Sequence, residues 1–204
     1  MGAEQCPVYI RSAAPFVKLE PMRADARKNY ARLLAVARDL VMANGADASL
    51  REIARTAGVG LGTLYRHFPT REALLDALLR EQFDALRAQA EELASSDPPR
   101  EALVAWLHRV VAAAHDYRGA IAVMVAAIDD EASPLHASCV AMKAAGTELL
   151  IRAQDHGEAR LDVSGADLFA LVSALAWLRD QPAFVTRIDH LSDLIAGAIL
   201  THRQ

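Results

Sequence analysis

The stretch SLREIARTAGVGLGTLYRHFPTR, from Ser49 to Arg71, leaves the backbone few choices. Ser49 stands three residues before Glu52, so its hydroxyl can accept from the Glu52 amide while the Glu52 carboxylate reaches back to the Ser49 amide. That reciprocal arrangement is a capping box, and it starts a helix. Leu50, Ile53, Ala54 and Ala57 then recur at helical spacing and set one apolar stripe inward. Gly58 ends the helix, because glycine takes positive φ without a steric penalty. Pro69 ends a second short helix, from about Gly60 to His67, that buries Leu64 and Phe68 and exposes Leu61, Thr63, Arg66 and part of Tyr65. Two short helices joined by a glycine turn, with Ala54 small enough for a close crossing, are the sequence form of a helix-turn-helix. Thr63, Tyr65, Arg66 and His67 on the second helix can meet phosphates or base edges. Thr70 caps a third helix, and Arg71 in its first turn can share a phosphate with the free amides there.

The remainder of the 204-residue chain also reads as helix. Its 53% hydrophobic content comes mainly from Ala and Leu, aromatics supply 5%, and almost no stretch alternates polar with apolar. The composition therefore predicts an all-α fold of one or two compact domains. Residues 1–22 contain Pro7, Pro15 and Pro21 and predict a flexible arm, in which Arg11 and Lys18 either touch DNA backbone or belong to a plain disordered tail. From Arg23 to Asn44, Tyr30, Leu33, Leu34, Ala37, Leu40 and Val41 repeat at three and four, and Gly45 is the stop. Arg27, Lys28 and Arg32 on that helix are either a solvated face or an edge that contacts DNA backbone. A long helix runs from Arg71 to about Ser95 and breaks at SSDPP. Further helices are expected at about Arg100–Tyr117, Ala120–Ile128, Leu135–His156, Ala166–Arg179 and Ile188–His202. The expected division is an arm (1–22), a helix-turn-helix domain (23–72) and a second domain (73–204).

The net charge of −4 conceals an asymmetry, for residues 1–72 carry 11 Lys+Arg against 7 Asp+Glu whereas residues 73–204 carry 11 against 19. The basic part coincides with the helix-turn-helix and suits a polyanion, while a pI near 6.0 excludes a wholly basic nucleic-acid coat. Cys6 and Cys139 are too few and too separated for a disulfide scaffold, no secretory signal is apparent, and no run reaches the ~18 apolar residues of a membrane helix. The chain thus reads as cytoplasmic. Catalysis has no foothold, since nucleophile elbow, HExxH and CxxC are all missing, and no cofactor is implied. GVGLG resembles a dinucleotide-binding loop only until position 63, where the third glycine would stand and Thr63 does. His108 and His115 read as helix-surface or pocket residues rather than metal ligands, and Asp129, Asp130 and Glu131 as a solvated turn rather than a cation site.

With the helix from Arg23, the helix-turn-helix and GVGLGTLYRHFPTREALL (Gly58 to Leu75) in view, the chain resembles the TetR family of bacterial transcriptional regulators over about residues 25–75. The remaining two-thirds is similar in architecture only, to a helical ligand-binding and dimerisation domain. The resemblance implies that Thr63, Tyr65 and His67 contact DNA backbone or bases, that Leu61, Gly62 and Arg66 occupy the positions that choose sequence, and that Arg71 holds a phosphate. Gly60 departs from the serine frequent in the family, and Arg71 replaces the usual lysine, keeping the charge and adding bidentate geometry.

The segment Ala166–Trp177 is apolar nearly all round, which requires burial on several sides. Phe169, Val172 and Trp177, with Leu191, Ile195 and Ile199 of the last helix, are expected at a homodimer interface. Trp106, Val110, Met124, Ile128 and Leu150 are expected to line a pocket for a largely apolar effector. Together these expectations describe a homodimer that binds a palindromic or pseudo-palindromic double-stranded DNA operator, mostly as a repressor, and leaves it when a small molecule binds. The alternative is a helical small-molecule binding protein whose helix-turn-helix is vestigial.

Overall fold

Leu33, Leu34, Ala37 and Val41 form the buried face of α1 (Leu19–Asn44), which packs on α2 (Leu50–Thr56) and on α4 (Arg71–Ser96). The computed structural model describes the backbone of residues 19–201 except 97, 180 and 182, and their side chains except those of 19–24, 118, 123 and 185. The helix starts four residues before the expected start at Arg23; the rest of the expected arm, with Arg11 and Lys18, lies outside the described residues. Ser49 caps α2 by accepting from the Glu52 amide at 3.4 Å. Gly58, at φ +66°, makes the turn into α3 (Leu61–His67), and Leu64 and Phe68 are buried beneath it as the spacing predicts.

The second part of the chain is a helical bundle around α4. Leu74, Leu75, Leu78, Leu79, Phe83, Leu86, Ala90 and Leu93 form its buried stripe, and α7 (Pro134–Asp155) covers that stripe most extensively. α5 (Pro99–Asp116), α6 (Arg118–Asp129) and α8 (Gly165–Arg179) complete the bundle, and a 3₁₀ turn at Val185–Arg187 leads into α9 (Ile188–Ile199), which lies on α8. The last helix stops three residues short of the expected His202. Leu200 turns extended and pairs with Ala159, while the Thr201 amide donates to the Glu158 carbonyl at 3.0 Å and Arg100 Nη1 donates to the Thr201 carbonyl at 3.0 Å. The chain end is thereby tied to the loop after α7 and to the start of α5.

Trp106 sits at the centre of this bundle, fully buried, with its indole N–H donating to the Leu86 carbonyl at 2.9 Å. Its ring occupies the space over Gly146 of α7 that a Cβ would fill. A methyl group there cannot be accommodated by a small adjustment, because the obstacle is a rigid ring already held by a hydrogen bond. Gly146→Ala is therefore expected to lower unfolding stability by about 1–3 kcal/mol. Urea denaturation followed by circular dichroism would show this, and an unchanged midpoint would contradict the close α5–α7 packing.

Candidate nucleic-acid interface and internal cavity

α3 is only seven residues long, and three tertiary features hold it in place. Leu64 and Phe68 face the core; Tyr30 of α1 packs its ring on Phe68 at 5.1 Å and edge-on to His67 at 5.9 Å; and the Phe68 amide closes the helix on the Leu64 carbonyl at 2.8 Å. The outward side presents Gly62, Tyr65 and Arg66, all exposed, with Leu61, Thr63 and His67 half-buried. Arg66 folds back so that Nη2 donates to the Thr63 hydroxyl at 2.9 Å, which pre-sets both side chains on one face. Tyr65 is 45% exposed, as its position on the helix predicts, and its hydroxyl is available to a partner. Gly62 has open space around it, which lets another backbone approach closely.

Arg71 departs from expectation. Its Nη1 donates to the carbonyls of Ala46 and Ala48, at 2.7 Å each, and so clamps the turn between α1 and α2. The start of α4 is satisfied internally as well: the Thr70 hydroxyl accepts from the Ala73 amide at 3.1 Å, and the Glu72 carboxyl is held below its ordinary value by its own backbone amide and by Thr70. Nη1 of Arg71 is thereby committed to the turn before α2, a fastening role that the residue type alone does not suggest.

Deeper in the chain, α4, α5, α6, α7 and α8 border a cavity of about 920 Å³ that is partly open to solvent. Leu79, Gln82, Phe83 and Leu86 form the α4 wall; Val110, Ala113 and Tyr117 the α5 wall; Ile121, Val125 and Ile128 the α6 wall; Cys139, Val140, Met142, Lys143 and Thr147 the α7 wall; and Phe169, Ala170, Val172 and Ser173 the α8 wall. The lining is apolar apart from a few side chains, and the two charged ones, Asp129 and Lys143, are exposed. Burial pushes the Cys139 thiol up, so it stays protonated near neutral pH. Tyr117 borders the cavity, yet its hydroxyl is buried without a hydrogen-bond partner, beside an Arg38–Glu81 ion pair at 2.7 Å that joins α1 to α4.

Residues 33–78 match the family of bacterial regulatory proteins of the tetR type, and residues 98–197 match the C-terminal domain described as transcriptional regulator SbtR-like. The TetR regulator SCO0520 of Streptomyces coelicolor is 34% identical, with 85% of this chain and 99% of that one covered and a TM-score of 0.67. A TetR regulatory protein of Mycobacterium vanbaalenii is 32% identical over 89% of this chain and 100% of its own, with a TM-score of 0.65. The chain belongs to the TetR family. TetR-family members are DNA-binding transcriptional regulators. The transcriptional repressor LfrR of Mycolicibacterium smegmatis is 38% identical over 90 residues, 44% of this chain and 46% of LfrR, so the chain spans about half the length of the curated relatives it matches.

Within this TetR framework the two expected residue sets of the second domain are redistributed. Val110 and Ile128 line the cavity as expected, but Trp106, Met124 and Leu150 do not; they are 0%, 5% and 1% exposed and belong to the packed core. Phe169 and Val172, expected at a dimer interface, line the cavity instead, because they lie on the side of α8 that turns toward α7 and α5. Ile199 is 2% exposed and packs inside its own chain. Trp177 is 63% exposed, and Leu191 and Ile195 are half-buried. Sequence reasoning missed the α4 wall, although a signal was present: Gln82 lies three residues after Leu79 and four before Leu86, a polar residue on a buried stripe. Among the described residues no cluster of metal-ligating side chains occurs and no helix is long and apolar enough to cross a membrane; His108 instead faces Asp193 at 3.2 Å.

The Arg71 geometry makes a prediction that differs from a pure DNA contact. Arg71→Ala removes two hydrogen bonds from a charged donor and should lower the melting stability of the purified protein in the absence of DNA, by about 2–4 kcal/mol. Arg71→Lys should restore only part, since the shorter lysine side chain must reach both carbonyls with one ammonium. Calorimetric melting that is unaltered by Arg71→Ala would show the clamp to be unimportant.

Proposed function

We propose that this chain is a homodimeric repressor, acting in the cytoplasm, that holds a two-fold-symmetric operator through α3 and releases it when a small molecule fills the cavity. The observation that carries this reading is the continuity between cavity and turn. α6 supplies one cavity wall, and at its first turn a Cβ on Gly119 would stand 3.1 Å from the amide nitrogen of Ala46, whose carbonyl Arg71 holds. A ligand that displaces α6 therefore presses on the segment that seats the helix-turn-helix. The repressor assignment also draws on the name of LfrR.

In this reading residues 23–72 form the DNA-binding domain and residues 73–204 the ligand-binding and dimerisation domain. Tyr65 and Thr63 meet the backbone, Arg66 reads a base with Leu61 and Gly62 beside it, and His67 contacts DNA from its seat on Tyr30. Two copies meet through α8 and α9, where Trp177 and Leu194 are 63% and 54% exposed and Ala174, Gly197 and Ala198 leave room for close helix approach. The dimer must set its recognition helices about 34 Å apart to enter successive major grooves. Ligand need favour the non-matching geometry by only about 1–3 kcal/mol to switch usefully.

Three outcomes test the proposal. A band shift with DNA from the region upstream of its own gene should appear at low salt; its absence with every genomic fragment would favour a helical ligand binder with a vestigial helix-turn-helix. Tyr65→Ala should weaken all operators alike, whereas Arg66→Ala should change preference at one base pair by about 1–3 kcal/mol in a random-operator selection. Gly119→Ala, which wedges α6 against the turn, should alter operator affinity more than it alters thermal stability. Equal operator affinity for Gly119→Ala and the wild type would count against this route of coupling.

A further inference from the structure

We propose that the cavity takes a neutral, largely apolar molecule carrying one carbonyl or hydroxyl, and that the side-chain amide of Gln82 receives that group. This rests on the reading of the cavity as the effector site and adds the chemistry of the effector. Gln82 lies between Leu79 and Phe83 on the α4 wall; it is half-buried, and its amide makes no hydrogen bond among the described residues. The amide is within reach of water and free of protein partners among those residues, so a ligand that displaces that water needs a group able to replace its hydrogen bonds.

The Tyr117 hydroxyl is buried against Arg38 at the α1–α4 contact, and the remaining polar side chains of the wall offer less. The Thr147 hydroxyl already donates to the Lys143 carbonyl at 2.9 Å, and the Ser173 hydroxyl to the Phe169 carbonyl at 2.8 Å. The Cys139 thiol is neutral and a weak donor. Asp129 and Lys143 are exposed and opposite in sign, so they set up no field that favours an anion or a cation inside. A charged ligand would have to leave water with no buried counter-ion on the apolar wall to receive it, which favours a neutral one. Gln82 can donate to a carbonyl or both donate to and accept from a hydroxyl, which fixes the neutral group it recognises. The volume, about 920 Å³, admits a drug-sized molecule with the rest of its surface against Leu, Val, Ile and Phe side chains.

The probe for this is 6-propionyl-2-dimethylaminonaphthalene, a neutral fluorophore with one carbonyl whose emission moves to the red when that carbonyl accepts a hydrogen bond. Titrated into the full-length protein without DNA, it should bind at one saturable site per chain. Gln82→Leu should weaken it about 5- to 10-fold and move the bound emission to the blue. Gln82→Glu, nearly the same shape but ionised and unable to donate, should weaken it at least as much. Asp84→Asn, on the exposed side of α4, should leave affinity and emission unchanged. Of three competitors with one tail, 1-dodecanol should displace the probe at about tenfold or more lower concentration than dodecanoate or dodecylammonium. Emission and affinity unmoved by both Gln82 variants, non-saturable binding, or a charged competitor that wins would overturn the proposal. Ligand binding that depends on Gln82 but leaves DNA complexes intact would count against the regulator reading alone, and DNA release by ligands indifferent to Gln82 would sink only the assignment made here.

Discussion

Continuity of α4 is the constraint on which the rest depends. The helix runs without glycine or proline from Arg71 to Ser96, about 39 Å, and so has no place at which to kink. Its first turn clamps the turn before α2 through Arg71, its middle forms a cavity wall through Leu79, Gln82, Phe83 and Leu86, and its last turns enter the bundle core at Ala90 and Leu93. Arg38 of α1 meets Glu81 at 2.7 Å on the same helix, one residue from Gln82. In the switch proposed above, a displacement of the cavity wall would reach the helix-turn-helix as a tilt of α4 rather than as a chain of small side-chain shifts. Because packed interfaces have discrete arrangements, a tilt of this kind suits a switch between two states.

How much could be read beforehand follows from the range of the signals. The cap at Ser49, the turn at Gly58 and the inward Leu64 and Phe68 are local, decided by neighbours three to five residues away, and the structure reproduces them, although the Glu52 carboxylate turns to Arg55 at 3.7 Å and leaves the capping box half-formed. The role of Arg71 depends on carbonyls 23 and 25 residues earlier, and nothing in the spacing of charges points to them. Residue type suggested a phosphate ligand, whereas the fold made the same guanidinium a fastener for the turn that carries α2.

The bundle shows the same divide. Helix positions were legible from periodicity and from breaks such as SSDPP, but which apolar face meets core, cavity or solvent was not. α8 is apolar on all sides, so sequence could not say that Phe169 and Val172 turn to the cavity while Trp177 turns outward. Trp106 looked like a lining residue because it is large and inward-facing; Gly146 on the helix opposite lets it sink one layer deeper. A pocket is a property of what several helices leave unfilled, and no single helix encodes it.

That deeper layer has an optical consequence. The chain has two tryptophans in opposed surroundings, Trp106 fully buried and Trp177 63% exposed. Trp106 meets Phe169 edge to face at 5.8 Å, and Phe169 is part of the cavity wall, so the dry indole stands one ring away from any occupant. Trp106 is closed to a water-soluble quencher whether or not a second copy covers Trp177, so its short-wavelength emission persists in either assembly state. A shift of Phe169 would register in that emission from behind the wall.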